Sequence, residues 1–383
     1  MNEARESREA REAREARAGL NQAPRLLFVP ASGARGAGEY FRCVALARAA
    51  QARWPAAQIR FIVNAEAGYA RAAPFTQTTV QGSPTYNTAA VNAAVAEFRP
   101  HAVIFDSAGR VGQLAHARRC GAVNVYVSSR FKTRWKGFRF RRMRLLDQHW
   151  LAWPRFVDGA LTGWERFKLA IVRRPAVLFL DPVHEPSDAA RRARLLEQIG
   201  VAGRPYVLFS AGGGGYALTG EPAPEIFARA AIEVKRASGF EAVWVKGPNY
   251  EGKAFDGENF VALGSLASES MIDLLAGAQV AVISGGSLLL QALALGTPAV
   301  AAPVAADQPA RIAAAERQRV AIAAPLESQA LARATLPLLT DPSLPAALRA
   351  RLRDLGIGNG AHQAMDALAR LLALRGVVPA AVP

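Results

Sequence analysis

The stretch from Val280 to Gln308, VAVISGGSLLLQALALGTPAVAAPVAADQ, constrains the fold more than any other part of the chain. A short apolar run of β character, 280–283, breaks into Ser284-Gly285-Gly286-Ser287 and passes directly into a helix-type run from Leu288 to Leu295. Gly296-Thr297-Pro298 stops that helix, Ala299 to Ala302 reads as the next strand, and Pro303 opens a loop carrying Asp307-Gln308. This is a complete β-α-β unit, and it requires a parallel sheet covered by helices.

A strand that ends in Gly-Gly and starts a helix leaves unpaired backbone N–H groups and the positive end of a helix dipole at the carboxyl edge of the sheet. Such an edge suits a phosphate or diphosphate. Glycines also let the backbone approach an anion where a side chain would hold it off. A tight turn in any α/β protein would use the same glycines. Two further features favour a ligand: Gln291 lies on the first turns of the helix, where an amide reaches a ribose or a base edge, and Asp307-Gln308 closes the next loop on the same side.

The string SGG-S-x-x-x-Q-A-L-A-L-G-T-P-A-V-x-x-P-x-x-x-D-Q resembles the donor-binding signature of nucleotide-sugar glycosyltransferases with the GT-B fold. It is most similar to the MurG-like enzymes of glycosyltransferase family 28 and, more loosely, to the UDP-glycosyltransferase superfamily. The resemblance implies two Rossmann-like β/α domains facing across a cleft, and sugar transfer from a nucleotide diphosphate-sugar to a hydroxyl acceptor. In those families the helix carries a Glu that accepts hydrogen bonds from the ribose hydroxyls. Gln291 stands in its place here; an amide can still accept but carries no charge.

At 383 residues the chain is long enough for two domains, each with its own core. Residues 1–23 form a charged tail whose Arg and Glu cancel and which offers no hydrophobic stripe, so it reads as disordered or as a solvated helix. The expected domains are 24–183, binding the acceptor, and 189–360, binding the donor. The last helix, 361–383, crosses back to the first domain by analogy with GT-B enzymes. The net charge of +16 calls for an anionic partner. Cys43 and Cys120 stand in unrelated contexts, which fits a reducing cytosol. With no apolar run able to span a bilayer and no signal-peptide core, the expectation is a cytoplasmic protein, at most peripheral on the inner face of the membrane.

The first domain opens with strand Arg25 to Val29, a glycine-bearing loop with Gly33, Gly36 and Gly38, and a helix to about Arg53. The glycine order is not the dinucleotide fingerprint, because the position three residues after Gly38 is Phe41; NAD is set aside. MurG-like enzymes carry a His near the reaction centre in this loop. Here Glu39 follows Gly38, as a candidate general base or as a carboxylate favoured by the helix dipole. Strand 102–105 ends in Asp106, which either orients catalysis and acceptor hydroxyls or caps the following helix. The intervening residues 66–88 read as a loop, and 145–169 as mixed helix and loop. Arg35 and Arg110 are candidates for an acceptor phosphate.

Residues 130–144, RFKTRWKGFRFRRMR, interleave Arg130, Lys132, Arg134, Lys136, Arg139, Arg141, Arg142 and Arg144 with Phe131, Trp135, Phe138 and Phe140, and contain no acid. Such composition suits an anionic bilayer interface, nucleic acid, or a solvated helix with core aromatics. The MurG-like resemblance favours the membrane, and with it a lipid-linked or cell-envelope acceptor. No zinc-finger spacing, RNA-binding motif or repeat argues for nucleic acid.

The second domain begins after a linker, 181–188, with strand 206–209 running into Ser210-Ala211-Gly212-Gly213-Gly214-Gly215, a second glycine turn able to hold the diphosphate. In the resembled enzymes the loop containing Leu266 lies against the nucleotide base. Backbone N–H groups at Gly286-Ser287 and Gly213-Gly214 would stabilise the leaving diphosphate, and Asp307 and Gln308 would hold the sugar. No cofactor or metal is expected, since there is no Asp-x-Asp and the five His form no ligand pair. Glu39 or Asp106 would then deprotonate the acceptor, giving inversion in one step. A nucleotide-sugar hydrolase and a non-catalytic sugar-nucleotide-binding protein remain the alternatives.

Overall fold

A computed structural model describes residues 23–31, 38–67, 74–213, 215, 220–250, 252 and 260–378. The chain divides into two compact units, Met1–Trp153 with Ala160–Leu180 and Gly360–Pro383, and Pro154–Gly159 with Asp181–Asn359.

The first unit is built on seven strands: β1 (Arg25–Pro30), β2 (Gln58–Asn64), β3 (Thr76–Val80), β4 (Ala102–Asp106), β5 (Val123–Ser128), β6 (Gln148–Leu151) and β7 (Ala176–Phe179). All pair in parallel, in the order β3-β2-β1-β4-β5-β6-β7. Parallel strands need crossovers, and the helices that supply them bury both faces of the central strands. Hence β4, AVIFD, is buried along its whole length, whereas the edge strand β3, TQTTV, is half open. Leu27, Val103, Phe105 and Ile62 project from the sheet into a core closed by Val91, Val95 and Leu114. The helix Gly360–Ala373 belongs to this unit. It packs on the helix Gly38–Arg53, with an Arg53–Asp366 ion pair at 2.6 Å and a Gln148 Nε2 bond to the Ala367 carbonyl at 3.1 Å.

The second unit has six parallel strands, β8 (Tyr206–Ser210), β9 (Glu241–Val245), β10 (Val261–Leu263), β11 (Val280–Ser284), β12 (Ala299–Ala302) and β13 (Ala321–Ala323), in the order β10-β9-β8-β11-β12-β13. Val207, Phe209, Trp244, Val282 and Val300 pack against Ile226, Phe227, Ala230 and Val234 of the helix Ala223–Ser238 and Leu331 of the helix Ser328–Thr340.

Three strands depart from the sequence reading. The stretch 66–88 is not all loop, since β3 lies within it, and β6 occupies part of the stretch read as helix and loop. β13 was unassigned. Each is short or polar: β3 has three Thr on a half-open edge, β6 mixes Gln and His with Trp, and β13 spans only three residues.

Candidate functional site

In an open α/β sheet, ligands bind outside the carboxyl ends of strands where the strand order reverses. In the second unit that reversal lies between β8 and β11. The two glycine turns follow those two strands. Gly212 has φ +81°, a conformation that favours glycine, and its N–H donates to Ser210 Oγ at 3.2 Å. A Cβ on Gly212 would stand 3.1 Å from Ser284 Oγ, so the turns after β8 and β11 lie against one another. Gly213 accepts from the Asn249 N–H at 3.0 Å. Gly214 falls outside the described residues.

Gly285 is needed for another reason. A Cβ there would lie 2.5 Å from Ile312 Cγ1, so the residue is a packing position between β11 and the helix Pro309–Arg317. Its N–H is used on the Ala302 carbonyl at 3.1 Å, and its own carbonyl accepts from Arg311 Nη1. The donors open to an anion are therefore those that follow it. Gly286 caps the helix Ser287–Ala294, and the first-turn N–H groups of a helix have no intrahelical acceptors. Gln291, on the second turn, is half-buried; its Nε2 donates to the Val183 carbonyl at 3.4 Å, leaving Oε1 as its acceptor. Leu266 is half-buried in the loop before the helix Ser268–Gly277.

Asp307 and Gln308 diverge. The Asp307 side chain is 54% exposed and pairs with Arg311 Nη2 at 3.3 Å. Gln308 is buried, and its Oε1 accepts from the Val304 N–H at 2.9 Å, so its carbonyl is committed to shaping the loop. Arg311, buried beneath this edge, was not singled out in the sequence; the i,i+4 spacing from Asp307 was the signal that could have found it.

In the first unit the strand order reverses between β1 and β4, and Asp106 ends β4. Its carboxylate is fully buried and gripped from two sides by Arg42, Nε to Oδ2 at 2.7 Å and Nη2 to Oδ1 at 2.7 Å. It therefore neither caps the next helix nor faces solvent. Arg42 Nη2 also reaches Ser129 Oγ at 3.3 Å, and Ser107, at φ +56°, donates to Asp106 Oδ1 at 3.4 Å. Burial pushes the Asp106 carboxyl up to about 6 against the pull of Arg42, while Asp106 and Glu39 keep Arg42 protonated. Burial, with Asp106 beside it, also holds the Cys43 thiol well above its ordinary range. Glu39 sits in the first turn of the helix Gly38–Arg53, largely buried, with Arg130 Nη2 3.5 Å from its Oε1. The structure thus brings Glu39, Arg42, Asp106, Ser129 and Arg130 together. Arg110 lies over the Tyr86 ring at 4.8 Å; Gly33, Arg35 and Gly36 fall outside the described residues.

The basic segment is not uniformly outward. Arg134 is buried, bonding Glu165 through Nε at 2.9 Å and Nη2 at 2.8 Å, so it acts as an internal tie and not as a free surface cation. Arg142 lies over the Tyr126 ring at 4.4 Å and donates to the Ala108 carbonyl at 3.1 Å. Lys132, Trp135, Arg139 and Arg141 are exposed, and Lys136 is half-buried. Among the described residues, no group of three or more His, Cys, Asp or Glu side chains could hold a metal ion, and no helix is long and apolar enough to cross a membrane.

No protein-family model and no curated protein matches the chain. Solved structures do match. Phytolacca americana UGT2, complexed with UDP-2fluoro-glucose and pterostilbene, has a TM-score of 0.63 at 14% identity, over 92% of this chain and 100% of that one. The glycosyltransferase SnogD from Streptomyces nogalater has a TM-score of 0.59 at 18% identity, over 92% and 99%. The fold is GT-B. A candidate UDP-N-acetylglucosamine 2-epimerase from Listeria monocytogenes also matches, with a TM-score of 0.58 at 12% identity over 92% and 97%. At these identities the likeness establishes the GT-B frame, and the chemistry rests on the residues at the two sheet edges.

Proposed function

We propose that this protein is a glycosyltransferase that moves a sugar from a nucleotide diphosphate-sugar, a UDP-sugar in the first instance, to a hydroxyl acceptor in a single inverting step without a metal. The observation that carries the reading is the coincidence, in the second unit, of the sheet's switch point with two glycine turns and a helix N-terminus. The likeness to SnogD, a glycosyltransferase, and to UGT2, which was complexed with a UDP-sugar analogue, supports it.

In this reading the N–H groups at Gly213, Gly286 and Ser287 hold the diphosphate, and they stabilise the negative charge that builds on it as the glycosidic bond breaks. Gln291 Oε1 accepts from a ribose hydroxyl, Leu266 lies against the base, and the exposed carboxylate of Asp307 accepts from the sugar hydroxyls. Gln308 shapes the loop that presents Asp307. Glu39 takes the proton from the acceptor, with Arg130 and the buried Arg42–Asp106 pair fixing its surroundings. The exposed cations of 130–144 contact an anionic membrane surface, and the acceptor is lipid-linked or part of the cell envelope.

The test is a thermal-shift panel with UDP, TDP, GDP, ADP, CMP and NAD. A ligand at a hundred times its Kd stabilises the protein by about 2.7 kcal/mol. A selective shift with UDP or TDP is expected; no shift with any nucleotide would remove the donor site.

A further inference from the structure

The helix Gly163–Val172, GWERFKLAIV, is apolar on two faces. Its inner face, with Leu169 and Val172, packs on Phe138, Met143 and Leu151. Its outer face carries Trp164, Phe167 and Ile171, spaced i, i+3, i+7, and they are 58%, 51% and 57% exposed. The Trp164 and Phe167 rings stack in the open, their centroids 5.1 Å apart. Three large apolar side chains in one exposed stripe are costly in water unless something covers them.

This stripe adjoins the basic segment. The Glu165–Arg134 bonds tie the helix to the helix Phe131–Gly137, and Lys168 Nζ lies 5.1 Å from the Trp164 ring centroid and 5.7 Å from that of Phe140. Phe131, Trp135 and Phe140 extend the exposed apolar surface, and Arg139 lies over the Trp135 ring at 4.2 Å. Exposed charges here are of one sign: Lys132, Arg139, Arg141, Arg166 and Arg173. The one acid within 130–144 and 163–173, Glu165, is consumed by Arg134.

We infer that the helix Gly163–Val172 inserts its Trp164-Phe167-Ile171 stripe into the headgroup region of an anionic bilayer, with the flanking cations pairing lipid phosphates. The inference rests on the membrane reading of segment 130–144 and adds the element that enters the bilayer. Apolar residues with a cationic rim match an interfacial helix. A second copy of the chain fits poorly, because a two-fold contact would set like-charged rims against one another. Nucleic acid would use the cations but gives no reason for Ile171 and Phe167 to face outward.

The experiment is co-sedimentation of the full chain with vesicles of neutral phosphatidylcholine alone or with anionic phosphatidylglycerol, at low salt. Brominated lipids serve as quenchers of tryptophan fluorescence. The wild type should bind anionic vesicles and be quenched. The triple variant Trp164→Ser, Phe167→Ser, Ile171→Ser, altered only at exposed positions, should keep its melting temperature and bind on the order of a hundredfold more weakly. Undiminished binding by the triple variant, with loss in Lys132→Gln, Arg139→Gln, Arg141→Gln, would overturn the inserting helix and leave the basic segment standing. No binding by the wild type would overturn both. A wild-type dimer in sedimentation velocity that the triple variant abolishes would assign the stripe to self-association, again overturning the inference.

Discussion

Replacing Arg42 by Met tests whether the first unit's carboxyl edge is held by charge. The substitution keeps a long apolar stem and removes the guanidinium that bonds both oxygens of Asp106 at 2.7 Å. Asp106 is fully buried, so no water replaces the lost partner. Removing one member of a buried pair costs about 3–5 kcal/mol, because the other charge is stranded. The cost depends on pH in a determinate way. The carboxyl already stands raised from 3.8 to about 6 in the folded protein, so the stability it contributes is complete below pH 3.8 and is lost as pH rises through about 6. Without Arg42 that folded value rises further, and the loss continues to higher pH. The Arg42→Met deficit should therefore be about 3–5 kcal/mol at pH 8 and distinctly smaller at pH 5. Urea unfolding followed by tryptophan fluorescence suits the measurement, because Trp54, Trp135, Trp150, Trp153 and Trp164 all lie in this unit and only Trp244 lies in the other. Adding Asp106→Asn should recover part of the loss, giving a coupling energy between the two sites. A deficit below about 1 kcal/mol at pH 8, or one equal at both pH values, would refute the reasoning.

Glu39→Gln should lower sugar-transfer turnover by about 10²–10⁴-fold while leaving UDP affinity unchanged; turnover at the wild-type rate would reduce Glu39 to a helix-end carboxylate beside Arg130. Gly285→Ala places a methyl 2.5 Å from Ile312 Cγ1 and should cost about 1–3 kcal/mol in the second unit, read by hydrogen exchange of β11 and β12. Native-like protection there would mean that the helix Pro309–Arg317 shifts freely, and that this glycine does not fix the turn.

The central strands were readable because parallel strands covered on both faces become nearly continuous apolar runs, as in VAVIS and YVLFS. β3 escaped notice because an edge strand has no such need, and its Thr-rich sequence reads equally well as loop. The glycine turns were legible for the same local reason. What sequence could not supply was partnership across distance. Asp106 stood out as a strand-end acid, but its partner Arg42 lies 64 positions away on a helix whose other charges look alike. Arg134 looked like one more surface cation until Glu165, 31 positions on, was found beneath it. Gln308 looked like a ligand-facing amide because its bond to the Val304 N–H depends on how the loop folds back.

The helix Gly360–Ala373 gives the first unit a history as well as a shape. Its contact with the helix Gly38–Arg53 joins residues 313 positions apart, at the Arg53–Asp366 pair. On a ribosome adding about 5–20 residues per second, that interval is roughly 15–60 s. Within it the rest of the first unit's sheet is made and then the second unit, which can fold while the first still lacks Ala364, Leu368 and Leu372 in its packing. Of the two units, the one whose strands are made first is thus completed second, and a chaperone that shields its unfinished face would have to hold on until the other has been made.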